Sequence, residues 1–338
     1  MKIKLYIVLI LVGLLMAFKG AKQHHWPSYF PEPVQARIQT SYTPEMRALG
    51  RVLFYDPILS ADSSVSCASC HNPYTAFAHT DHALSHGIGD SIGKRNAPAL
   101  FNLAWQSAFM LDGAVNHIEV QALAPLTATN EMAETLEHVL TKLNRLPRYQ
   151  ALNASIQQGK SISSSLFLKS LAAFVLSLNS FESKYDSVKR HQSTFSAQEA
   201  KGYEKFKQYC NACHVEPLFT NHTYQYNGLS FDPQHPDLGR YAISLKPKDS
   251  FAFKVPSLRN ISYTYPYMHD GRYKTLQAVL KHYAEKQVSA KLNNNVTTVF
   301  PLSANDQVDI IAFLKTLNDV QFLFNKDNLF PNDKGNNP

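Results

Sequence analysis

The chain has 338 residues, more than one typical domain and enough for about two, each with its own core. Its 33 Lys and Arg against 26 Asp and Glu give a formal charge of +7, but no basic block, recognition-helix motif or stacking platform accompanies it, which argues against nucleic-acid binding. The 4 cysteines fall into two close pairs, so none is left over for a disulfide framework.

In chain order, the first feature is MKIKLYIVLILVGLLMAFKG: Lys2 and Lys4, an apolar run from Leu5 to Phe18, then polar residues. That is the layout of a secretory signal, and export to the periplasm is the expectation. The run is short for a bilayer span and its small-residue cleavage pattern is weak, so residues 1–21 are read as a signal peptide or, alternatively, as an uncleaved membrane tether.

Thr43-Pro44 then opens a predicted helix carrying Gly50-x-x-x-Phe54, with Pro at a favoured first position. Cys67-Ala-Ser-Cys70-His71 follows. The order recurs downstream: the capping box Ser196-x-x-Glu199 opens a helix with Gly202-x-x-x-Phe206, and Cys210-Asn-Ala-Cys213-His214 comes after it. Each half closes on a matched helix, AFVLSLN at 173–179 and AFLKTLN at 312–318. In these closing helices Leu168, Leu171, Phe174, Val175 and Leu178, like Val308, Ile311, Phe313, Leu314 and Leu317, fall near helical period and predict one buried face each. The Cys motifs are 143 residues apart and the closing helices 139, so motif and helix repeat nearly in register.

The fold expected is therefore mainly α: two helical domains, 22–190 and 191–338, meeting where SKYDSVKRHQ turns polar. Between the helices run long irregular loops such as GLSFDPQHPDLGRYAIS, rich in Pro, Gly and Tyr. Loops of that length need a ligand or cofactor to organise them.

C-x-x-C-H is the attachment signature of c-type haem. Two thiols one helical turn apart can add to the two porphyrin vinyl groups, and the imidazole of the next residue reaches the iron from the same side. Cys67, Cys70, Cys210 and Cys213 are thus expected to hold two haems, with His71 and His214 as iron ligands. A four-Cys zinc site and a thioredoxin-like pair are the alternatives; the His after each pair and the lack of a βαβ pattern weigh against both. Haem propionates would offset part of the positive charge.

With these motifs the chain resembles the bacterial dihaem cytochrome c peroxidase family, including its MauG-type branch. The likeness is carried by the paired C-x-x-C-H, GKRNAPALFN at 93–102, Asp112-Gly113, Gln121 with Pro125 and Glu131-Met132, DLGR at 237–240, VPSLRNI at 255–261 and YPYMHDGR at 265–272. It implies two cytochrome c-like domains, each wrapped around one covalently attached haem, with the peroxide site in the N-terminal one. Gln121 and Glu131 would face the open side of that haem, Gln121 positioning peroxide and Glu131 moving protons, although the residues alone read Glu131 as an exposed carboxylate at a helix start. His86, on a Gly-flanked loop, matches a removable haem ligand in some members, with solvated loop histidines at 79, 82 and 86 as the alternative. Asn96 and the carbonyls of Thr264 and Pro266 match an interdomain calcium site, where oxygen donors suit the ion.

For the second iron the residues by themselves point to Met268, the only methionine after His214. The resemblance points instead to Tyr283, seven residues after Leu276, where peroxidases usually have Met; His282 is a further alternative. Axial ligation moves haem potentials over about 0.8 V, and a phenolate favours oxidised iron, so this choice decides which donor works. Leu111 stands where members usually place a Trp between the haems, and Trp105 lies six residues earlier. The activity implied is reduction of hydrogen peroxide to water with electrons from a small cytochrome c or cupredoxin-type donor; a homodimer is compatible with it. The alternatives are a MauG-type oxidase acting on a protein, or a non-catalytic dihaem carrier if both irons are fully ligated.

Overall fold

The computed structural model describes residues 26–158, 160–233, 236–285, 288–289, 297–298 and 300–331; the signal or anchor segment 1–21 lies outside them. The chain is mainly helical, and its strands are two-residue pairs. Residues from Glu32 onward cluster as one compact unit.

The first half is built on two long helices. Helix α1, Pro44–Tyr55, starts where the Thr43 hydroxyl accepts from Met46 N with Pro at the first turn, and it ends at Asp56, before Pro57. A single turn, α2, Cys67–Cys70, carries the first motif. Helix α3, Ser164–Leu176, capped by Ser163, buries most of its length. It crosses α1 at Gly50, where an added Cβ would sit 1.8 Å from the Ser170 carbonyl oxygen, so only glycine permits the approach.

The second half repeats the plan. Helix α4, Lys184–Lys189, leads to α5, Ala197–Tyr209, which opens on the Ser196/Glu199 capping box. After α6, Leu276–Glu285, comes α7, Ala304–Lys315, opened by a Ser303/Asp306 box. Helices α5 and α7 cross at Gly202, whose Cβ would lie 1.9 Å from the Asp309 carbonyl oxygen. Under each crossing sits a matching aromatic triad. Phe54, Phe77 and Phe174 have centroids 5.1 to 6.3 Å apart, and Phe206, Phe219 and Phe313 have centroids 5.1 to 6.2 Å apart.

The two cores do not divide at one point of the chain. Tyr185 on α4 belongs to the second core, its ring 4.8 Å from Phe219. The last turn, α8, Val320–Leu323, returns to the first: Phe322 packs 5.9 Å from Phe77. Residues beyond it are anchored there, since Arg51 donates to the Lys326 and Leu329 carbonyls at 2.8 and 2.7 Å and the Tyr55 hydroxyl to that of Asn328 at 2.6 Å. The chain therefore crosses the 22–190/191–338 division in both directions. A two-residue ribbon, Tyr224–Gln225 (β1) paired antiparallel with Phe253–Lys254 (β2), completes the part relevant to the site.

Candidate functional site

Each Cys-x-x-Cys-His motif sits on its own aromatic triad. All four thiols are free, and burial pushes those of Cys67 and Cys210 up to about 12. His71 Nδ1 lies 2.8 Å from the Phe77 carbonyl oxygen; His214 Nδ1 lies 3.1 Å from those of Phe219 and Pro256. Burial drives both imidazoles down to about 4, so they are neutral, and a carbonyl partner only accepts. The single ring proton is thus on Nδ1, leaving the Nε2 lone pair for a metal. Two free thiols beside an imidazole held in that tautomer fit a covalently attached haem. Among the described residues no three His, Cys, Asp or Glu side chains are grouped to hold a bare metal ion, so the two pairs do not form one four-thiol centre.

On the first lobe, Glu131 is half-buried and burial raises its carboxyl above the usual range. It lies close enough to Cys70 that its charge, after burial, helps raise that thiol. The loop carrying His86 forms the same wall. The Cys70 sulfur is 3.9 Å from the His86 carbonyl oxygen, and Ile88 N donates to the Glu131 carbonyl at 2.8 Å. Gly87 is required between them, because a Cβ there would be 2.2 Å from the Asn130 carbonyl oxygen. The His86 ring itself turns to Asp90, 2.5 Å away, and stacks on His82, which in turn stacks on the buried His79. Gln121 ends the turn Ile118–Gln121, its amide 3.7 Å from Met110 Sδ. Backbone bonds from Met132 N to Pro125 O and from Glu134 N to Leu126 O fold the Gln121 and Glu131 arms against each other.

On the second lobe the three ligand candidates are placed differently. Burial first, then the Cys210 and Cys213 sulfurs, raise the Tyr283 phenol, which puts its oxygen in the second motif's surroundings. His282 has both nitrogens engaged, Nε2 with the Asn227 carbonyl at 2.8 Å and Nδ1 with the Tyr273 hydroxyl at 3.3 Å. Met268 Sδ accepts from the Asn227 amide at 3.4 Å.

Between the lobes, Asn96 N donates to the His269 carbonyl at 2.7 Å and its amide to that of Ala83 at 2.9 Å, which lays Asn96 against the segment bearing Thr264 and Pro266. Trp105 is buried in the turn Leu103–Trp105. The Leu111 carbonyl accepts from Lys254 N at 2.7 Å, while Lys254 Nζ reaches Gln106 Oε1 at 2.6 Å and the Ala108 carbonyl at 2.7 Å. Burial pushes that amine down to about 8. Nearby, Arg95 grips Asp237 with two nitrogens at 2.5 and 2.8 Å and Asp112 with a third at 2.6 Å.

Sequence reasoning singled out neither Lys254 nor the Pro256 carbonyl that holds His214. Lys254 carries no local signal. The carbonyl did have one: PALFN at 98–102 and PSLRN at 256–260 share Pro-x-Leu-x-Asn, and Asn102 and Asn260 accept equivalent backbone bonds from Ser180 and Asp319. The Pro98 carbonyl lies near His71 and, against the larger effect of burial, favours its protonated form.

Paired helical lobes, each closing on a C-x-x-C-H turn with its His held through Nδ1, define a dihaem c-type protein. The chain belongs to the di-haem cytochrome c peroxidase family, whose pattern matches residues 44–194. It is 35% identical over 298 residues to methylamine utilization protein MauG of Methylorubrum extorquens, covering 85% of this chain and 82% of that one. It is 31% identical over 294 residues to cytochrome c551 peroxidase of Nitrosomonas europaea, covering 85% and 84%. A MauG-like protein associated with microbial copper homeostasis superposes with a TM-score of 0.81 at 26% identity, over 92% of this chain and 99% of that one. The diheme peroxidase BthA of Burkholderia thailandensis, at 23% identity and a TM-score of 0.72 over 83% and 87%, shares the fold. Membership implies two c-type haems.

Proposed function

We propose that this protein is an exported dihaem peroxidase that reduces hydrogen peroxide to two waters with two electrons from a small donor protein and two protons. The observation that carries the reading is Glu131: a half-buried carboxyl, raised by its burial, on the wall of the first Cys-x-x-Cys-His motif. Each haem, held by Cys67 and Cys70 or by Cys210 and Cys213 with His71 or His214 on its iron, would supply a one-electron redox centre, the first also binding peroxide.

The chain's own residues then have definite tasks. The Gln121 amide orients peroxide. The Glu131 carboxylate accepts the proton from one peroxide oxygen and returns it to the other as the O–O bond breaks, and a carboxyl poised above the ordinary range is better matched to doing both near neutral pH. The bonds from His71 Nδ1 and His214 Nδ1 to backbone carbonyls keep each ring oriented and make Nε2 the stronger donor. Tyr283 would be the further iron ligand of the second haem, a reading supported by its place beside Cys210 and Cys213 and by the engagement of both His282 nitrogens. His86 is assigned as the removable ligand of the first lobe through a swing of its loop away from Asp90. Asn96 with the Thr264 and Pro266 carbonyls is assigned to one calcium ion, and 22–190 and 191–338 to the bulk of the two domains, with Tyr185 lent to the second and Phe322 to the first.

A second reading, oxidation of a partner protein in the manner of MauG, is favoured by Tyr283, because a phenolate ligand would disfavour simple electron delivery from a mild donor. One experiment separates the two. Holoprotein is mixed with peroxide, with and without reduced cytochrome c, while both haem spectra are followed. Two donor molecules oxidised per peroxide support the peroxidase; a long-lived oxidised state indifferent to the donor overturns it in favour of the second reading. Unchanged spectra overturn both.

A further inference from the structure

The geometry points to a redox site that the peroxide chemistry above does not use: Tyr185 and Tyr203, hydrogen-bonded to the one carboxylate of Glu216, form an electron relay from the surface of the second lobe to the proximal side of its haem. The inference rests on the proposed peroxide reaction, which supplies the oxidant.

The inner end is defined by His214, whose Nδ1 bonds the Phe219 carbonyl. The Phe219 ring stands edge-on to Tyr185 at 4.8 Å, and Tyr185 is fully buried. Its hydroxyl donates to Glu216 Oε2 at 2.5 Å, while that of half-buried Tyr203 lies 2.9 Å from both carboxylate oxygens. Tyr203 also packs on Phe313 at 5.0 Å, and Phe313 on Phe219 at 6.2 Å. In this cluster the phenols are the groups that oxidise most readily; the Phe rings only bring them within short range of His214.

The hydrogen bonds to Glu216 decide what form the oxidised phenol takes. Lys207 lies 4.6 Å over the Tyr203 ring, and Lys189 and Arg259 lie 5.8 Å over that of Tyr185. Each cation has a carboxylate partner, Glu204, Glu216 and Asp186 in turn; an oxidised phenol is itself a strong acid, so the electron leaves together with the proton. Glu216, already accepting from both hydroxyls, is placed to receive it. When Tyr185 gives one electron to the second haem centre, oxidised at the expense of peroxide, its O–H bond breaks, the proton passes to Glu216, and a neutral tyrosyl radical is left. An electron from the donor, arriving through Tyr203, and the proton returned by Glu216 restore the phenol. Each passage consumes one donor electron and nothing else.

On the same scaffold, among the described residues, the first lobe lacks the carboxylate bridge: the Tyr55 ring packs on Phe54 and Phe174 at 5.4 and 6.3 Å, but its hydroxyl donates to the Asn328 carbonyl. Phe322 stands against Phe77 where Tyr185 stands against Phe219, Arg51 follows Gly50 where Tyr203 follows Gly202, and Pro73 is two residues past His71 where Glu216 is two past His214. Its own phenol–carboxylate pairs, Tyr42–Glu119 and Tyr149–Asp56, have no described ring contact with Phe77.

The test is freeze-quenched electron paramagnetic resonance of the holoprotein after peroxide, without donor, with ring-deuterated tyrosine. The expected result is a tyrosyl signal that narrows on deuteration and is lost in Y185F, while optical spectra still show haem oxidation. Y203F, at the less buried position, should keep the signal and slow donor oxidation. Haem oxidation with no tyrosyl signal, an undiminished signal in Y185F, or unaltered donor oxidation in Y203F would overturn the relay and leave the peroxidase standing. Haem spectra that ignore peroxide would remove both.

Discussion

The two lobes share a scaffold and differ in how it is closed. Both have a glycine-tight helix crossing, a Phe triad and a His held by backbone carbonyls. In the first, Pro-x-Leu-x-Asn carries Phe101, which packs on Phe322 of the returning tail at 6.0 Å. In the second, the same position is Arg259, whose two terminal nitrogens meet the two Asp186 oxygens at 2.8 Å with neither side chain exposed to water. An apolar closure serves the lobe for which peroxide chemistry at Glu131 is proposed. The polar closure goes with a lobe that has phenols and a carboxylate beside the triad that holds His214. One helical frame thus supports two electrostatic environments because its packing is fixed by the crossings, not by the closures.

The largest expected effect breaks the comparison at its functional end. E131Q keeps the shape of the first-lobe wall but cannot take a proton from peroxide, and should slow peroxide-driven donor oxidation by about 10²- to 10⁴-fold. Stopped-flow measurement decides: a rate within a few-fold of the wild type removes Glu131 from the reaction. Next comes the second lobe's closure. Burial alone would raise the Asp186 carboxyl, and the Arg259 guanidinium holds it below the usual range instead. D186N leaves Arg259 buried without its counter-charge and should cost roughly 3–5 kcal/mol. Replacing both residues with apolar ones of similar volume should recover the part of that loss due to the unpaired charge, leaving the cost of the Ser183 cap that Asp186 also supports. Denaturant unfolding of the single and paired variants checks this, and equal losses in both would show that the closures are not interchangeable.

The crossings sharpen the comparison by predicting sameness. G50A and G202A each push a methyl group into a helix carbonyl that has no soft way to move. Each should destabilise by about 1–3 kcal/mol, the usual range for overpacking. Similar losses in thermal melts are expected; a large loss at one position with none at the other would show that the repeat is not mechanical.

Much of this was legible in the sequence, and the reason is locality. Caps and the 3.6-residue period act within a few residues, so α1, α3, α5 and α7 follow from short segments, whereas their crossings, Gly50 on Ser170 and Gly202 on Asp309, join residues far apart in the chain. The thiol pairs and their histidines were legible for the same reason. What the sequence concealed spans long separations. The polar run 183–192 reads as a linker, yet Tyr185 and Asp186 inside it are buried in the second core, and the partner of Asp186 is 73 residues away. The tail that reads as a terminus closes the first lobe across more than 270 residues. Tyr283 came from the family resemblance, since nothing in AVLKHY separates it from a core aromatic. Lys254 came only from the structure, because burial of a single lysine leaves no periodic trace.

The smallest expected effect concerns pH and is confined to the first lobe. Burial raises the Glu131 carboxyl, so the folded protein keeps that proton at pH values where the unfolded chain has already lost it. The stabilisation this provides is complete below the unfolded carboxyl's value and disappears as pH rises through the folded one. Stability should therefore drift downward across that window in the wild type and stay flatter in E131Q, as read by denaturant midpoints at a series of pH values. The peroxidase rate should run the other way, rising through the same window as the carboxylate that accepts the peroxide proton forms. A stability slope and a rate slope of opposite sign, both removed by one substitution, would tie the proton work to this side chain. A stability slope that survives in E131Q would assign it to some other group.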